Sequence, residues 1–267
     1  MIRQASVQVA TPIQTKRIRL FGIDIDPLTM GEAVSYISAL LAKPQQSCHF
    51  VVTPNVDHLV QLQSHSGLQL AYQQASLVVV DGKPVMWAAN LLGQSVPNTV
   101  PGSDLVPAIF DDAQSKNTRV KVYLLGAMPG VADRAKDEIH RQWPMVEVVG
   151  TLSPPLGFDK DEAVSQSVCK NVNDSGAALL LIGLGAPKQE LWITKNAPYL
   201  TVNVALCIGA TIDFLAGEKA RAPMWMRKVG LEWLHRVLTE PKRLARRYLI
   251  DAIVFPQLVF KEWLARR

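Results

Sequence analysis

Along most of this 267-residue chain, short apolar runs alternate with stretches in which apolar side chains return every three or four positions. The runs predict strands at residues 18–25, 49–52, 77–80, 120–125, 146–149, 178–183 and 202–208. The gaps between them are helical in period, and three have legible starts. Thr29-Met-Gly-Glu32 is a capping box opening a helix that ends near Lys43, because a threonine hydroxyl and a glutamate three residues later each satisfy an orphan backbone N–H. Ser103 is placed to cap a helix over 105–114, and Pro129 to open one running toward Trp143. Such alternation predicts an α/β fold, a mostly parallel sheet with helices on both faces. No internal repeat or low-complexity segment interrupts it.

The last fifty residues follow a different pattern. From Pro241, Leu244, Tyr248, Ala252, Phe255, Val259 and Trp263 recur at three- and four-residue spacing, with Lys242, Arg243, Arg246 and Arg247 largely on the other side and Pro256 expected to kink the helix. An interfacial helix has this pattern. So does a helix packed on a core with a solvated basic face, or one at an oligomer interface. The expected division is a flexible tail over 1–17, an α/β core over 18–217 and a basic amphipathic appendage over 218–267.

Charge sharpens that division. Residues 218–267 hold twelve Lys/Arg against five Asp/Glu, out of 28 and 23 in the whole chain, so the rest is slightly acidic. Positive charge confined to one segment suits an anionic lipid surface or nucleic acid. Cys48, Cys169 and Cys207 form no CxxC pair and fit buried small side chains in a reducing cytoplasm. Met1 to Lys16 lacks the apolar core of a signal peptide, and no window reaches the roughly 20 apolar residues of a membrane span. A cytosolic or peripheral protein is expected.

In open α/β sheets, ligands gather at the carboxyl ends of strands. Here those ends carry Thr53-Pro-Asn55, Asp81-Gly82, Gly126-Ala-Met-Pro-Gly130, Gly183-Leu-Gly-Ala-Pro-Lys-Gln-Glu190 and Gly209-Ala-Thr-Ile-Asp213. Glycines let backbone N–H groups approach an anion, which describes a crevice for an extended, phosphate-bearing ligand; each loop alone is equally ordinary turn chemistry. Asp81 ends an apolar strand, where burial raises a carboxyl toward a useful general base, and it is also placed to cap the helix that follows. The third glycine of a dinucleotide fingerprint is missing after Gly183-Leu-Gly185, which argues against a nicotinamide oxidoreductase. Asp24-Ile-Asp26 matches a short divalent-cation motif that arises often by chance, and the histidines at 49, 58, 65, 140 and 235 show no metal-ligand clustering.

Taken in order, Thr53-Pro-Asn-Val-Asp57, Asp81-Gly82, Val100-Pro-Gly-Ser-Asp-Leu105, Tyr123-Leu-Leu-Gly-Ala-Met-Pro-Gly130, Gly185-Ala-Pro-Lys-Gln-Glu190, Gly209-Ala-Thr-Ile-Asp-Phe214, Arg221-Ala-Pro223 and Gly230-Leu-Glu-Trp-Leu-His-Arg236 resemble the successive signatures of the WecG/TagA/CpsF glycosyltransferases, family 26. The resemblance implies a Rossmann-like core with a C-terminal appendage at the inner membrane face of a bacterium. It implies an inverting enzyme that moves a hexose-type sugar, such as N-acetylmannosamine, its uronic acid or glucose, from a UDP-sugar to an undecaprenyl-diphosphate-linked sugar in exopolysaccharide biosynthesis. No other cofactor and no motif-bound metal are implied.

Carried over, Asp81 matches the general base and Thr53 a polar residue of the catalytic pocket. Lys188, Arg221 and the glycines 126, 130, 183 and 185 become candidates for meeting diphosphate charge. Gln189 and Glu190 become candidates for sugar hydroxyls, and Asn55, Gly82, Gly209 and Asp213 for orienting sugar or nucleotide. Trp225, Arg236, Arg243, Arg246 and Arg247 are the membrane and acceptor candidates. The chain departs from the family at Thr99, where an arginine is common. A nucleic-acid-binding regulatory protein is the competing class, and it has no need of Asp81 or of five ligand-ready strand ends. The sequence leaves the oligomeric state open.

Overall fold

The computed structural model describes residues 16–44 and 47–267, so the expected N-terminal tail lies, but for its last two residues, outside the described residues. Ile18–Leu20 (β1) and Ile23–Ile25 (β2) pair antiparallel as a hairpin where one strand is expected. The chain reverses at Phe21 and Gly22, with φ of 52° and 84°. Glycine takes this conformation freely, while Phe21 is buried against Phe255 with ring centroids 5.7 Å apart. The capping box opens Met30–Leu41 (α1) as expected, with Thr29 accepting from the Glu32 N–H.

Six strands form the main sheet: His49–Val52 (β3), Leu77–Val78 (β4), Val120–Gly126 (β5), Val146–Leu152 (β6), Leu179–Gly183 (β7) and Val204–Cys207 (β8). All pairings are parallel, in the spatial order β4-β3-β8-β7-β5-β6. The fourth strand is shorter than its apolar run because the Val80 carbonyl leaves the ladder to accept from the Val100 N–H at 2.7 Å.

Helices cover both faces, each with its own apolar core. On one side lie Val56–Leu62 (α2), Ser66–Gln74 (α3), Lys83–Leu91 (α4), Glu162–Asp174 (α7) and Lys188–Asn196 (α8), with the hairpin. On the other lie α1, Gly102–Ser115 (α5), Val131–Gln142 (α6) and Thr211–Leu215 (α9). Two helix starts differ from expectation. Pro101, not Ser103, is the N-cap of α5, and Ser103 sits inside its first turn; α6 begins after the left-handed Gly130, two residues beyond the sequence-based start.

After residue 217 the chain forms Met224–Lys228 (α10), Glu232–Thr239 (α11) and Pro241–Ala265 (α12), which runs uninterrupted through Pro256. The stripe read from the sequence is largely the packing face of α12: Leu244 is buried, Phe255, Val259 and Trp263 lie against the hairpin-side core, and Ala252 is exposed; Leu258, outside the stripe, is buried as well. A different apolar set, Leu249, Ile250, Ile253, Phe260 and Leu264, stays exposed. Among the described residues, no helix is long and apolar enough to cross a membrane.

Three strand ends meet through glycines. A Cβ on Gly126 would lie 2.5 Å from the Gly183 carbonyl oxygen, and one on Gly183 would lie 3.0 Å from that of Gly209. Gly126 also has φ of 117°, where an L side chain is strained. Gly126→Ala is therefore expected to lower stability by roughly 1–3 kcal/mol, read as a lower midpoint in urea with an unchanged slope; an unshifted midpoint refutes the close-packing argument.

Candidate active site

The carboxyl ends of β3, β4, β7 and β8 open into a cleft of about 680 Å³, roofed by α10, α11 and α12. Thr53 and Asn55 reach it from the β3 end, Asp81 and Gly82 from β4, Gly183, Gly185 and Gln189 from β7, and Gly209 and Asp213 from β8. The appendage brings Arg236, Arg243 and Arg247 to the same space. Thr53 and Asp213, 160 positions apart in sequence, thus share one cavity because parallel strands all deliver their loops to the same edge.

Asp81 sits at the base of this cleft. Its backbone N–H donates to the Pro54 carbonyl at 2.8 Å, which fixes the β4 loop to the β3 loop. It does not cap α4: the N-cap is Gly82, with φ of 96° and no side-chain cap. The carboxyl keeps a partial opening into the cleft while the surrounding walls exclude most water. Burial first, then the nearby Glu232 carboxylate, pushes it up to about 7, with Asp104 adding to the rise and Arg236 and Arg221 opposing it. Among the described residues, no donor hydrogen-bonds this carboxyl, so its proton affinity is set by solvation and charge.

Asn55 has a structural job as well, since its side-chain oxygen accepts from the His58 N–H at 3.2 Å as the N-cap of α2. His58 itself lines the cleft from below, with Nδ1 2.6 Å from the Tyr72 hydroxyl, and burial holds its pKa down to about 3, so it is neutral. Gln189 is a bridge: its Oε1 accepts from the Gly209 N–H at 3.1 Å while its Nε2 donates to Glu190 at 2.8 Å.

Several expected site residues lie elsewhere. Gly126 and Gly130 are outside the cleft, because the β5 end is pressed against Gly183 and its loop turns toward Ser153, whose hydroxyl donates to the Gly126 carbonyl. Lys188 turns away to Asp159, 3.8 Å off. Glu190 is 0% exposed beneath the floor. Arg221 is tied down: its guanidinium donates to the Ser103 carbonyl, the Ser103 hydroxyl and the Asp104 carboxylate at 2.9–3.2 Å, beside the Phe214 ring. Burial would raise Asp104, but the hydrogen bonds from Arg221 and Arg227 outweigh it and hold that carboxyl low. Trp225 and Arg246 are exposed at the surface. Asp24 pairs with Arg19, and Asp26 ties the hairpin to β4 by accepting from the Val78 N–H at 2.8 Å, so neither faces the cleft.

Other cleft groups escaped sequence reasoning. Lys83, Arg227 and Lys228 add positive charge to the lining. Lys83, Lys228 and Arg236 have no ion pair among the described residues, so they are the cations open to an anionic ligand. Beneath them Arg247 pairs with the buried Asp57 at 2.7 Å, Gln61 also donating to that carboxylate at 2.6 Å. The neighbouring Asp251 is 4% exposed with an unpartnered oxygen, as is one oxygen of Glu190. Asp57 closes the Thr53-Pro-Asn-Val-Asp57 motif, read in the sequence as a family signature but with no role given to Asp57 itself.

The fold is thus an α/β one, a parallel sheet whose strand ends converge on a desolvated carboxyl and on cations without an ion pair among the described residues. The family follows from the comparison with known proteins: residues 18–267 match the glycosyl transferase WecG/TagA/CpsF family, and the chain belongs to it. Its relatives include a protein of Staphylococcus aureus strain NCTC 8325 / PS 47, an N-acetylglucosaminyldiphosphoundecaprenol N-acetyl-beta-D-mannosaminyltransferase, 28% identical over 232 residues that span 87% of this chain and 88% of the relative. The proteins of strains COL and MRSA252 share that name and those figures.

The buried acids make stability depend on pH. Burial pushes Asp81 and Glu190 up to about 7 and Asp251 to about 6, above their unfolded values, so the folded state holds protons that the unfolded chain has released. This stabilisation is complete below the ordinary carboxylate range and is lost as pH rises through about 7. The melting temperature is expected to be higher at pH 5 than at pH 8, and Glu190→Gln to flatten the difference; a melting temperature rising over that window contradicts the burial account.

Proposed function

We propose that this protein is an inverting transferase that moves N-acetylmannosamine or a related hexose from a UDP-sugar to a sugar carried on undecaprenyl diphosphate. The observation that carries the reading is Asp81, a desolvated carboxyl held within a cation-lined cleft in a chain of this family. The acceptor hydroxyl oxygen forms its bond to the anomeric carbon as the bond to the UDP oxygen breaks on the opposite face, and Asp81 takes the hydroxyl proton. The β configuration in the relatives' name is what one such displacement yields from an α-linked nucleotide sugar.

Charge growing on the leaving diphosphate must be met by fixed positive groups. Lys83, Lys228 and Arg236 supply it, with the N-terminus of α5, whose Gly102 lines the cleft. This set takes the place of the family arginine absent at Thr99, which also lines the cleft. It makes transfer independent of a divalent cation. Thr53 and Asn55 contact sugar, and Asp213, 3.9 Å from Lys219, orients the nucleotide side.

The relatives' name points to a lipid-borne acceptor, and the tail provides a place to meet one. Leu249, Ile253 and Phe260 are each more than half exposed on α12, with Trp225 on α10 and the exposed Arg243 and Arg246 nearby in the chain. An apolar face flanked by arginines binds an anionic bilayer peripherally, on the cytoplasmic side where UDP-sugars are made.

Assaying UDP-sugars against a lipid-diphosphate-linked N-acetylglucosamine tests the reading; no transfer from any UDP-hexose sinks it. UDP, but neither NAD nor DNA, is expected to raise the melting temperature. Asp81→Asn is expected to abolish transfer while keeping the UDP shift, and wild-type kcat/KM to rise with pH to a plateau above about 7, where the base is ionised. Full activity in that variant removes Asp81 as base. For the membrane role, Leu249→Gln with Ile253→Gln is expected to reduce co-sedimentation with anionic liposomes at least tenfold; undiminished sedimentation refutes that role.

A further inference from the structure

A buried pair on the floor of the cleft takes no part in the transfer step. His58 lies in the first turn of α2, where its backbone N–H donates to the Asn55 side chain at 3.2 Å. It is 5% exposed and lines the cleft. Tyr72, on α3, is 1% exposed. His58 Nδ1 is 2.6 Å from the Tyr72 hydroxyl oxygen, with ring centroids 6.3 Å apart and ring planes at 83°, so the two rings meet edge-on.

Counting protons fixes the direction of this bond. Burial first, with the like charge of Arg247 adding to it, keeps His58 neutral, so its ring carries one proton. Burial first, and then Glu190 and the other acidic groups around it, hold Tyr72 well above the usual phenol range, so its hydroxyl also carries one. With the imidazole proton on Nδ1, that proton would point at the phenol oxygen, and the phenol proton would be buried with no acceptor among the described residues. A buried donor in that state bears its full desolvation penalty. With the phenol donating to Nδ1, both groups are satisfied and the imidazole proton sits on Nε2. Nε2 takes no partner among the described residues, and unlike the unpartnered oxygens of Glu190 and Asp251 it is not sealed in by protein. On a residue of the cleft wall, that leaves it open to the cavity.

We infer that His58 is a further sugar-binding residue, presenting its Nε2–H to a hexose oxygen in the cleft, with Tyr72 as the positioning residue that fixes the tautomer. The inference rests on the transferase reading above and adds to it a contact that the cations cannot supply. A neutral donor suits a hydroxyl or an acetamido carbonyl, whereas the diphosphate is matched by Lys83, Lys228 and Arg236. The ring cannot turn over to offer an acceptor instead, because turning it breaks the bond to Tyr72. The site therefore demands an oxygen at that point of the sugar, and a substrate lacking one leaves a buried donor unpaired. Donor and acceptor sugars both carry such oxygens, and the kinetics distinguish them.

Two substitutions separate the ring nitrogens. His58→Asn places an amide at the level of Nδ1, which keeps an acceptor for Tyr72 and removes the donor to the cleft. His58→Gln places it at the level of Nε2 and restores that donor. Full-length His58→Asn is expected to keep the melting temperature and the thermal shift with UDP, and to raise KM at least tenfold for one sugar substrate. That substrate is the UDP-sugar if the contact is to the donor, and the lipid-diphosphate-linked N-acetylglucosamine if it is to the acceptor. His58→Gln is expected to recover part of the loss. Nitrogen-15 NMR of the wild type, which needs no variant to fold, is expected to show Nε2 protonated and Nδ1 bare from pH 5 to pH 8. The Nε2–H signal moves on addition of one sugar substrate and stays in place with UDP; Tyr72→Phe mixes the two tautomers. Unchanged KM for both sugars in a folded His58→Asn, a proton on Nδ1 in the wild type, or an Nε2–H signal that neither sugar moves overturns the inference and leaves the transferase reading intact. No transfer by the wild type overturns both.

Discussion

The ion pair between Asp57 and Arg247 is the contact on which the cleft depends. The sheet supplies only a floor, and the roof is built from the last fifty residues, α12 among them packing into the hairpin-side core. Beside the apolar packing of Leu244, Phe255 and Leu258, the polar contact that joins the two at depth is a guanidinium from α12 reaching a carboxylate in the first turn of α2, two residues beyond Asn55. The surroundings make that contact demanding. Asp57, Asp251 and Glu190 are three buried carboxyls in the neighbourhood of one arginine. A buried pair of this kind contributes little net stability but is costly to break, because a lone buried charge remains. It specifies where the tail sits more than how tightly it is held.

The same accounting sorts the positive charge of the molecule into two kinds. Arg221, Arg247 and Lys188 are spent on carboxylates of the chain itself, and Arg227 shares Asp104 with Arg221. Lys83, Lys228 and Arg236 line the cleft without such a partner among the described residues. Sequence charge is blind to this distinction, since a lysine that closes an ion pair and one that awaits a phosphate are the same letter. Gly230 helps put the second kind in place. A Cβ there would lie 2.8 Å from the Trp87 ring, so the turn between α10 and α11 sits directly on α4, and α11 carries Arg236 to where its charge acts on Asp81.

Periodicity made the strands, the capping box of α1 and the parallel α/β class legible, because apolar alternation and cap chemistry are local. The hairpin at Phe21 and Gly22 was not: the apolar run continues across it, and the reversal goes with distant contacts, Phe21 on Phe255 and Asp26 on the Val78 N–H. Asp81 was legible through its place at the end of an apolar strand. Gly126 looked the same as Gly183 in sequence, yet one is a packing spacer and the other lines the cleft, a difference settled by neighbouring strands. The face of α12 that meets the core stayed open in the sequence for a similar reason. Two apolar stripes run along that helix, and spacing alone does not say which one the core takes.

The strand order has a consequence for how the protein is made. β8 is the last strand in the chain, yet it lies between β3 and β7, joining the pair made first to the three that follow. Until Val204–Cys207 has been synthesised, neither β3 nor β7 has its partner on that side, so the β4–β3 and β7–β5–β6 segments have no strand to join them. Unpaired apolar edges are where nascent chains associate wrongly. The floor of the cleft closes only after more than two hundred residues have been synthesised, and the roof, from the last fifty, is added to a sheet completed moments before.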